Sequence, residues 1–369
     1  MNFALVAALL TVVASAMLMI HSDTAAEAVR RGIAICGGSV IPSLFPMMFI
    51  SQYTVKSGAA ELTGSLLNKP VQVLFGLPGV CGVVLLTSFI GGYPAGAKAA
   101  ETLVNDGMIT PEEGRRLANM AFCAGPGFAI GMIGGELYKN KSIGLLILTA
   151  QALSCIIIGT VYRFLSGKDV SRCLKKAQDD SSVTSPKNDA FVQVAAGTAS
   201  ALLNMCSFIV LFQIIVSMIE LSGINDALGM LSLKAGMGNI GKWLLPCIVE
   251  VTGGSILSVG AGLPFTAFVV GFGGLSVHFQ NFALCRSIRL HKGEYIFTRA
   301  MQGLLCSLTV WLAMKLPYFS RIEMPASVKV GGSQPVSFSQ ISVGFGCAML
   351  VMCLMSVICL PSERKSVKL

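Results

Sequence analysis

Two short glycine-rich stretches interrupt apolar segments that otherwise have the composition of membrane helices. The first is Ser-Phe-Ile-Gly-Gly-Tyr-Pro-Ala-Gly-Ala-Lys at 88–98, and the second is Glu-Val-Thr-Gly-Gly-Ser at 250–255. A further break follows each of them, Cys-Ala-Gly-Pro-Gly at 123–127 and Gly-Phe-Gly-Gly-Leu-Ser-Val-His-Phe-Gln at 271–280. Backbone that stops being helical inside a membrane has unpaired N–H and C=O groups, which are tolerated only inside protein or beside a watery cavity. The four breaks therefore predict one central polar site.

The residue types at the breaks favour an anion. A helix N-terminus presents unpaired N–H groups and about half a positive charge, and glycines let a ligand approach the backbone closely. Lys98 and His278 lie just past two of the breaks, where an ionisable group is expensive and suggests function. Glu250 directly precedes a third break, where it could carry a coupling proton or help to hold a cation. The predicted substrate-binding residues are Ser88, Gly91, Gly92, Tyr93, Lys98, Gly125, Thr252, Gly253, Gly254, Ser255, Gly273, Gly274, Ser276, His278 and Gln280.

Each of the two cationic residues also has a structural interpretation. Lys98 could snorkel from a helix to the membrane interface, and His278 could be a neutral imidazole bonded to a carbonyl. The sequence contains neither His-Glu-x-x-His nor Gly-x-Ser-x-Gly, and its three histidines lack metal-ligand spacing. We therefore expect no enzymatic activity, no metal and no cofactor.

The composition is that of an integral membrane protein. Of 369 residues, 54% are hydrophobic and 12% charged, whereas soluble domains carry about 25% charged residues; the mean hydropathy is +0.74. The net charge of +9 fits the loop-charge bias of membrane proteins better than nucleic-acid binding. We expect the lipid bilayer and a small anionic molecule as partners, no nucleic acid, and leave a homo-oligomer possible.

The predicted fold is all-α and polytopic, with about eight transmembrane helices and two re-entrant helical hairpins. Stretches of roughly 20 apolar residues can cross a bilayer, and they lie near 3–20, 32–52, 117–138, 142–165, 191–221, 263–284, 297–316 and 338–360. The interrupted stretches 71–105 and 241–262 are the predicted hairpins. Thr110-Pro111-Glu112-Glu113 predicts a helix start with a capping box.

The charged, serine-containing stretch 166–190 divides the chain into two membrane halves, 1–165 and 191–369, each with one hairpin. If this linker is cytoplasmic, both termini and most Lys and Arg residues are cytoplasmic too, in agreement with the positive-inside rule. The two hairpins then enter from opposite sides of the membrane. This arrangement predicts an inverted repeat.

The motifs Gly-Gly-Tyr-Pro-Ala-Gly-Ala-Lys (91–98), Ala-Gly-Pro (124–126) and the stretch 271–280 resemble those of the YlbJ-type sporulation integral membrane proteins. That family carries nucleoside-recognition "Gate" regions. The resemblance implies an architecture similar to concentrative nucleoside transporters. It also implies transport of dipicolinic acid, with the cell membrane or the outer forespore membrane as the location.

Three hypotheses about function follow. The first is a transporter that moves a small anionic aromatic carboxylate by alternating access of the hairpins. The second is a nucleoside or nucleobase transporter, in which Glu250, Gln280 and Asn281 bind the ribose and the base edge. The third is a membrane scaffold in sporulation that transports nothing, and the polar helix breaks argue against it because a scaffold has no need of unwound backbone.

Overall fold

The structure is a computed structural model that describes residues 3–57, 59–165, 190–236, 238 and 240–317. Within these ranges every regular element is helical and none is a strand. The helices are α1 (Phe3–Ile20), α2 (Ser22–Ile35), α3 (Ile41–Lys56), α4 (Ala59–Phe75), α5 (Cys81–Gly91), α6 (Tyr93–Asn105), α7 (Pro111–Ala121), α8 (Lys141–Leu165), α9 (Ala190–Leu221), α10 (Ile224–Lys234), α11 (Ile240–Val249), α12 (Val251–Ser258), α13 (Leu263–Phe272), α14 (Gly274–Leu284) and α15 (Lys292–Ala313). Two π-helical segments, Cys36–Val40 and Gly127–Leu137, and a 3₁₀ turn, Val259–Ala261, complete the described chain.

Four stretches are long and apolar enough to cross a membrane by length and composition: Lys141–Leu165, Phe191–Leu221, Leu263–Leu284 and Lys292–Ala313. They coincide with four of the predicted spans. Among the others, 3–20 forms α1, 32–52 contains a π-helical turn, and 117–138 is interrupted after Ala121. The predicted span 338–360 and nearly all of the linker 166–190 lie outside the described residues. The division into halves remains a prediction.

The first hairpin consists of α5 and α6, which fold back on each other at Gly92. Gly96 faces Ser88 across the two arms, and a Cβ on Gly96 would lie 1.8 Å from the Ser88 Oγ. Because the two residues are equally far from Gly92, this contact defines an antiparallel pair packed through small residues. The hairpin is shorter than predicted, since residues 71–75 belong to α4.

The second hairpin consists of α11 and α12, with its turn at Glu250. Here a Cβ on Gly254 would lie 2.5 Å from the Cα of Cys247, and the Cys247 thiol lies 3.1 Å from the Gly254 carbonyl oxygen. Glycine thus lets both hairpins bring their arms into backbone contact.

Two further stretches are broken rather than folded back. The segment after α7 leaves helical geometry at Phe122 and resumes in the π-helical segment Gly127–Leu137. Helices α13 and α14 are separated at Gly273, which has a φ of +86°. The capping box that begins α7 is confirmed: the Thr110 N–H donates to the Glu113 carboxylate at 2.8 Å, and the Glu113 N–H donates to the Thr110 Oγ1 at 3.2 Å.

One hydrophobic cluster joins residues from both sides of the linker, among them Val84, Ile147, Val270 and Val310. Large apolar side chains such as Leu153 and Leu308 remain exposed on the outer helix faces. Lipid tails are as apolar as leucine, so these faces suit a bilayer. The cluster holds the hairpins and the broken stretches against α8 and α15.

The second hairpin offers a matched pair of adjacent glycines. We expect Gly254→Ala to destabilise the protein by about 1–3 kcal/mol, because the methyl group would overlap backbone atoms of α11. Gly253→Ala is the control, since its Cβ would meet side-chain atoms of Glu250 and Gln213 no closer than 3.3 Å. Thermal unfolding of the two purified variants in detergent measures the difference. Equal melting temperatures would contradict the close packing of this hairpin.

Candidate functional site

The turns of both hairpins and residues at both helix breaks line one cavity, which has a volume of about 60 Å³. Small-molecule sites are larger, about 300–1,000 Å³, so a bound solute would require the lining elements to move apart. The π-helical turn and α3 add Val40 and Leu44, and α9 adds Met205 and Ile209. The remaining lining residues are Gly92, Tyr93, Pro94, Ala124, Gly125, Phe128, Glu250, Val251, Thr252, Ser276, Val277 and Gln280.

The side chain of Glu250 caps the helix that follows it. One carboxylate oxygen accepts the Thr252 N–H at 2.9 Å, and the other accepts the Gly253 N–H at 2.5 Å. The second oxygen also accepts an amide N–H of Gln213 at 3.0 Å, and Glu250 is completely buried. The sequence predicted that this helix end faces a substrate anion. The chain's own carboxylate occupies these two N–H groups instead.

The turn of the first hairpin packs directly on the first helix break. Gly92 has a φ of +81°, and a Cβ there would lie 3.2 Å from the Gly125 backbone nitrogen. A Cβ on Gly125 would lie 2.9 Å from the Gly92 nitrogen. Both positions therefore need glycine, one for its conformation and both for the close approach. The Ala124 N–H at this break donates to the Gln151 side-chain oxygen at 2.8 Å.

The second break packs on the second hairpin in the same way. A Cβ on Gly274 would lie 3.0 Å from the Val251 nitrogen. The N-cap of α14 is Gly273, which has no side chain to cap the helix, so among the described residues its first N–H groups have no cap of the kind that Glu250 provides to α12. Ser276 lies in this first turn and lines the cavity, and its buried hydroxyl has no hydrogen-bond partner among the described residues.

The sequence has a curated relative of similar length. The chain is 26% identical over 332 residues to the sporulation integral membrane protein YlbJ of Bacillus subtilis (strain 168), and the match covers 82% of this chain and 81% of the relative. The chain is therefore similar to a YlbJ-type sporulation protein over most of its length. No family model matches the sequence, and no solved structure matches it. The helical architecture and the relative together identify an integral membrane protein.

The structure divides the predicted binding residues into two groups. Gly92, Tyr93, Gly125, Thr252, Ser276 and Gln280 line the cavity, and so does the predicted coupling residue Glu250. A second group surrounds the turns and breaks without lining the cavity: Ser88, Gly91, Gly253, Gly254, Ser255, Gly273 and Gly274. Their glycines provide close packing, as at Gly254 and Gly274.

Lys98 and His278 do not line the cavity. The imidazole of His278 is fully buried edge-on between the rings of Phe272 and Tyr295, at centroid distances of 4.7 and 5.4 Å. Neither of its ring nitrogens has a hydrogen-bond partner among the described residues. Lys98 lies on α6, six residues beyond the turn at Gly92 and about 9 Å along the helix axis. The expected pair of cations beside the substrate is therefore absent from this cavity.

Three side chains that bind the broken backbone or Glu250 were not predicted from the sequence. They are Gln151, Gln213 and Arg299. Arg299 falls inside the predicted span 297–316, so the rule that drew attention to Lys98 also applies to it. Within the described part of the chain, no group of three or more His, Cys, Asp or Glu side chains is arranged to hold a metal ion.

The cap at Glu250 can be tested without a substrate. We expect Glu250→Ala to lower stability by at least about 1–2 kcal/mol, because two N–H groups and the Gln213 amide lose their acceptor in a buried site. Glu250→Gln should lose less, because its amide oxygen still accepts a hydrogen bond. Thermal unfolding measures both variants, with Glu136→Gln at an exposed position as the control. An Ala variant as stable as the native protein would exclude the cap.

Proposed function

We propose that this chain transports a small anionic aromatic carboxylate across a membrane, and that dipicolinic acid is its substrate during sporulation. The observation that carries the proposal is the meeting of two hairpin turns and two helix breaks at one cavity. Secondary transporters bind substrates where discontinuous helices meet near the middle of the membrane. The name of the Bacillus subtilis relative supports the link to sporulation.

The cavity contains groups that suit such a solute. The rings of Tyr93 and Phe128 provide aromatic surface. The uncapped N-terminus of α14, the free hydroxyl of Ser276 and the amide of Gln280 provide donors for a carboxylate. We propose that the two hairpins move against the remaining helices, so that the cavity opens to each side of the membrane in turn.

Glu250 is the residue that binds a proton in this mechanism. An ionised Glu250 repels an anion in the same cavity, whereas a protonated Glu250 does not. We therefore assign Glu250 to coupling, with one proton bound together with the anionic substrate. Glu250→Gln mimics the protonated form, and we expect it to transport without a response to a pH gradient.

A nucleoside or nucleobase is the second candidate substrate, and the carboxylate of Glu250 in the cavity favours it. Together with the amide of Gln280, it offers partners for ribose hydroxyls and a base edge. Asn281 does not belong to this set, since its side-chain amide donates to the Tyr295 hydroxyl at 2.7 Å. A membrane scaffold, the third candidate, has no need of such a cavity.

Uptake into proteoliposomes distinguishes these candidates. We expect the full-length protein to accumulate labelled dipicolinate, and excess unlabelled dipicolinate to compete while uridine does not. Uridine uptake that dipicolinate leaves unchanged would favour the nucleoside transporter. A protein that transports neither compound, and whose melting temperature responds to neither, would favour the scaffold.

Two buried serines provide a matched test of the binding surface. Ser276 and Ser88 both have buried hydroxyls without partners among the described residues, but only Ser276 lines the cavity. We expect Ser276→Ala to weaken dipicolinate binding roughly tenfold, since a hydrogen bond to a charged group contributes about 1.5–3 kcal/mol. Ser88→Ala should change the affinity less than twofold. Equal effects in a titration of the two variants would place the substrate elsewhere.

A further inference from the structure

Arg299 is a cation buried inside the membrane-spanning part of the protein. It lies on α15, seven residues after Lys292 and therefore about 10 Å along the helix axis from its start. Only 1% of its surface is exposed. A charge at such depth is costly unless other groups compensate it, so its partners indicate what it does.

The guanidinium group binds backbone carbonyls rather than a carboxylate. It donates to the Phe122 carbonyl and, at 2.5 Å, to the Asn119 carbonyl, both at the end of α7. The described residues contain no salt bridge to Arg299. Glu294, the acidic residue on the same helix, is paired with Arg115. The Tyr295 ring, 5.5 Å from the guanidinium carbon, adds a cation–π contact. None of these partners carries a full negative charge.

The carbonyls that Arg299 binds lie just before the residues that form one wall of the cavity. Phe122 precedes Ala124 by two residues, about 7 Å of chain, and both Ala124 and Gly125 line the cavity. The same stretch is held from α8 by the Gln151 side chain. Arg299 therefore holds the backbone that leads into this wall, although it is not itself part of the cavity lining.

We propose that Arg299 is the residue that makes the cavity selective for anions. It is a positioning residue that acts through the broken backbone after α7, without touching the substrate. This role rests on the proposed transport of a carboxylate. Lys98 and His278, to which the sequence assigned that role, lie outside the cavity lining. At a separation of about 10 Å and an effective dielectric constant of about 20, the attraction between Arg299 and a ligand carboxylate changes the binding affinity roughly tenfold.

The test compares a charged and an uncharged ligand of the same shape. Dipicolinate and its uncharged diamide, pyridine-2,6-dicarboxamide, are titrated against the purified full-length protein. We expect Arg299→Gln to weaken dipicolinate binding roughly tenfold and to change diamide binding less than twofold. Arg299→Lys keeps the charge and should retain most of the preference for the anion. A purely structural role would weaken both ligands equally, and that result would overturn the proposal.

A second variant tests the charge without removing the hydrogen bonds of Arg299. Gln302 lies one helical turn further on the same face of α15, fully buried, and its amide has no partner among the described residues. Gln302→Glu places a carboxylate beside the guanidinium, so it should lower dipicolinate affinity selectively even if Arg299→Gln does not fold. Unchanged selectivity in Gln302→Glu would contradict the proposal.

Arg116 provides the matched control. It is also buried and also donates to a backbone carbonyl, that of Phe75 at 2.6 Å, but it lies at the middle of α7 and outside the cavity lining. Arg116→Gln should leave the ratio of the two affinities unchanged, and an equal loss of selectivity would overturn the role of Arg299. If the native protein binds no dipicolinate at all, the proposed function itself fails.

Discussion

Backbone that leaves helical geometry in an apolar interior needs a hydrogen-bond partner for each N–H and C=O group. At three of the four interruptions a polar side chain supplies partners. Glu250 accepts the N–H groups at the second hairpin turn, and Gln151 accepts one at the first break, where Arg299 also binds carbonyls. Tyr93 donates its hydroxyl to the Val270 carbonyl just before the second break. These contacts allow irregular backbone to exist inside the membrane part of the protein.

The same contacts tie separate elements together. The side chain of Tyr93 starts from the first hairpin and ends on the second broken stretch. Backbone contacts add the pairs Gly92 with Gly125 and Gly274 with Val251. Each hairpin is therefore bound to a broken stretch by a glycine contact that tolerates no side chain. The movement of a hairpin that the proposed transport requires would have to exchange these contacts.

The charges around the cavity are arranged asymmetrically. Glu250 is the acidic side chain in the lining, and its two oxygens already accept N–H groups. Arg299 is bound to the carbonyls of Asn119 and Phe122, next to the part of the wall formed by Ala124 and Gly125. In the proposed mechanism, one proton can neutralise Glu250, whereas Arg299 keeps its positive charge. This combination favours the binding of an anion.

Local patterns of the sequence determined the membrane class, the four interruptions, the capping box at Thr110 and the resemblance to the YlbJ type. Composition, glycine position and cap spacing are properties of neighbouring residues, so the chain alone displays them. Only the tertiary structure decided which side chains form hydrogen bonds with the broken backbone. Arg299 lies 177 residues from Phe122, and Tyr93 lies 177 residues from Val270. No local pattern in the sequence predicts such pairs, because they depend on how distant helices pack. For the same reason, Lys98 and His278 lie next to helix breaks in the sequence but outside the cavity lining in the structure.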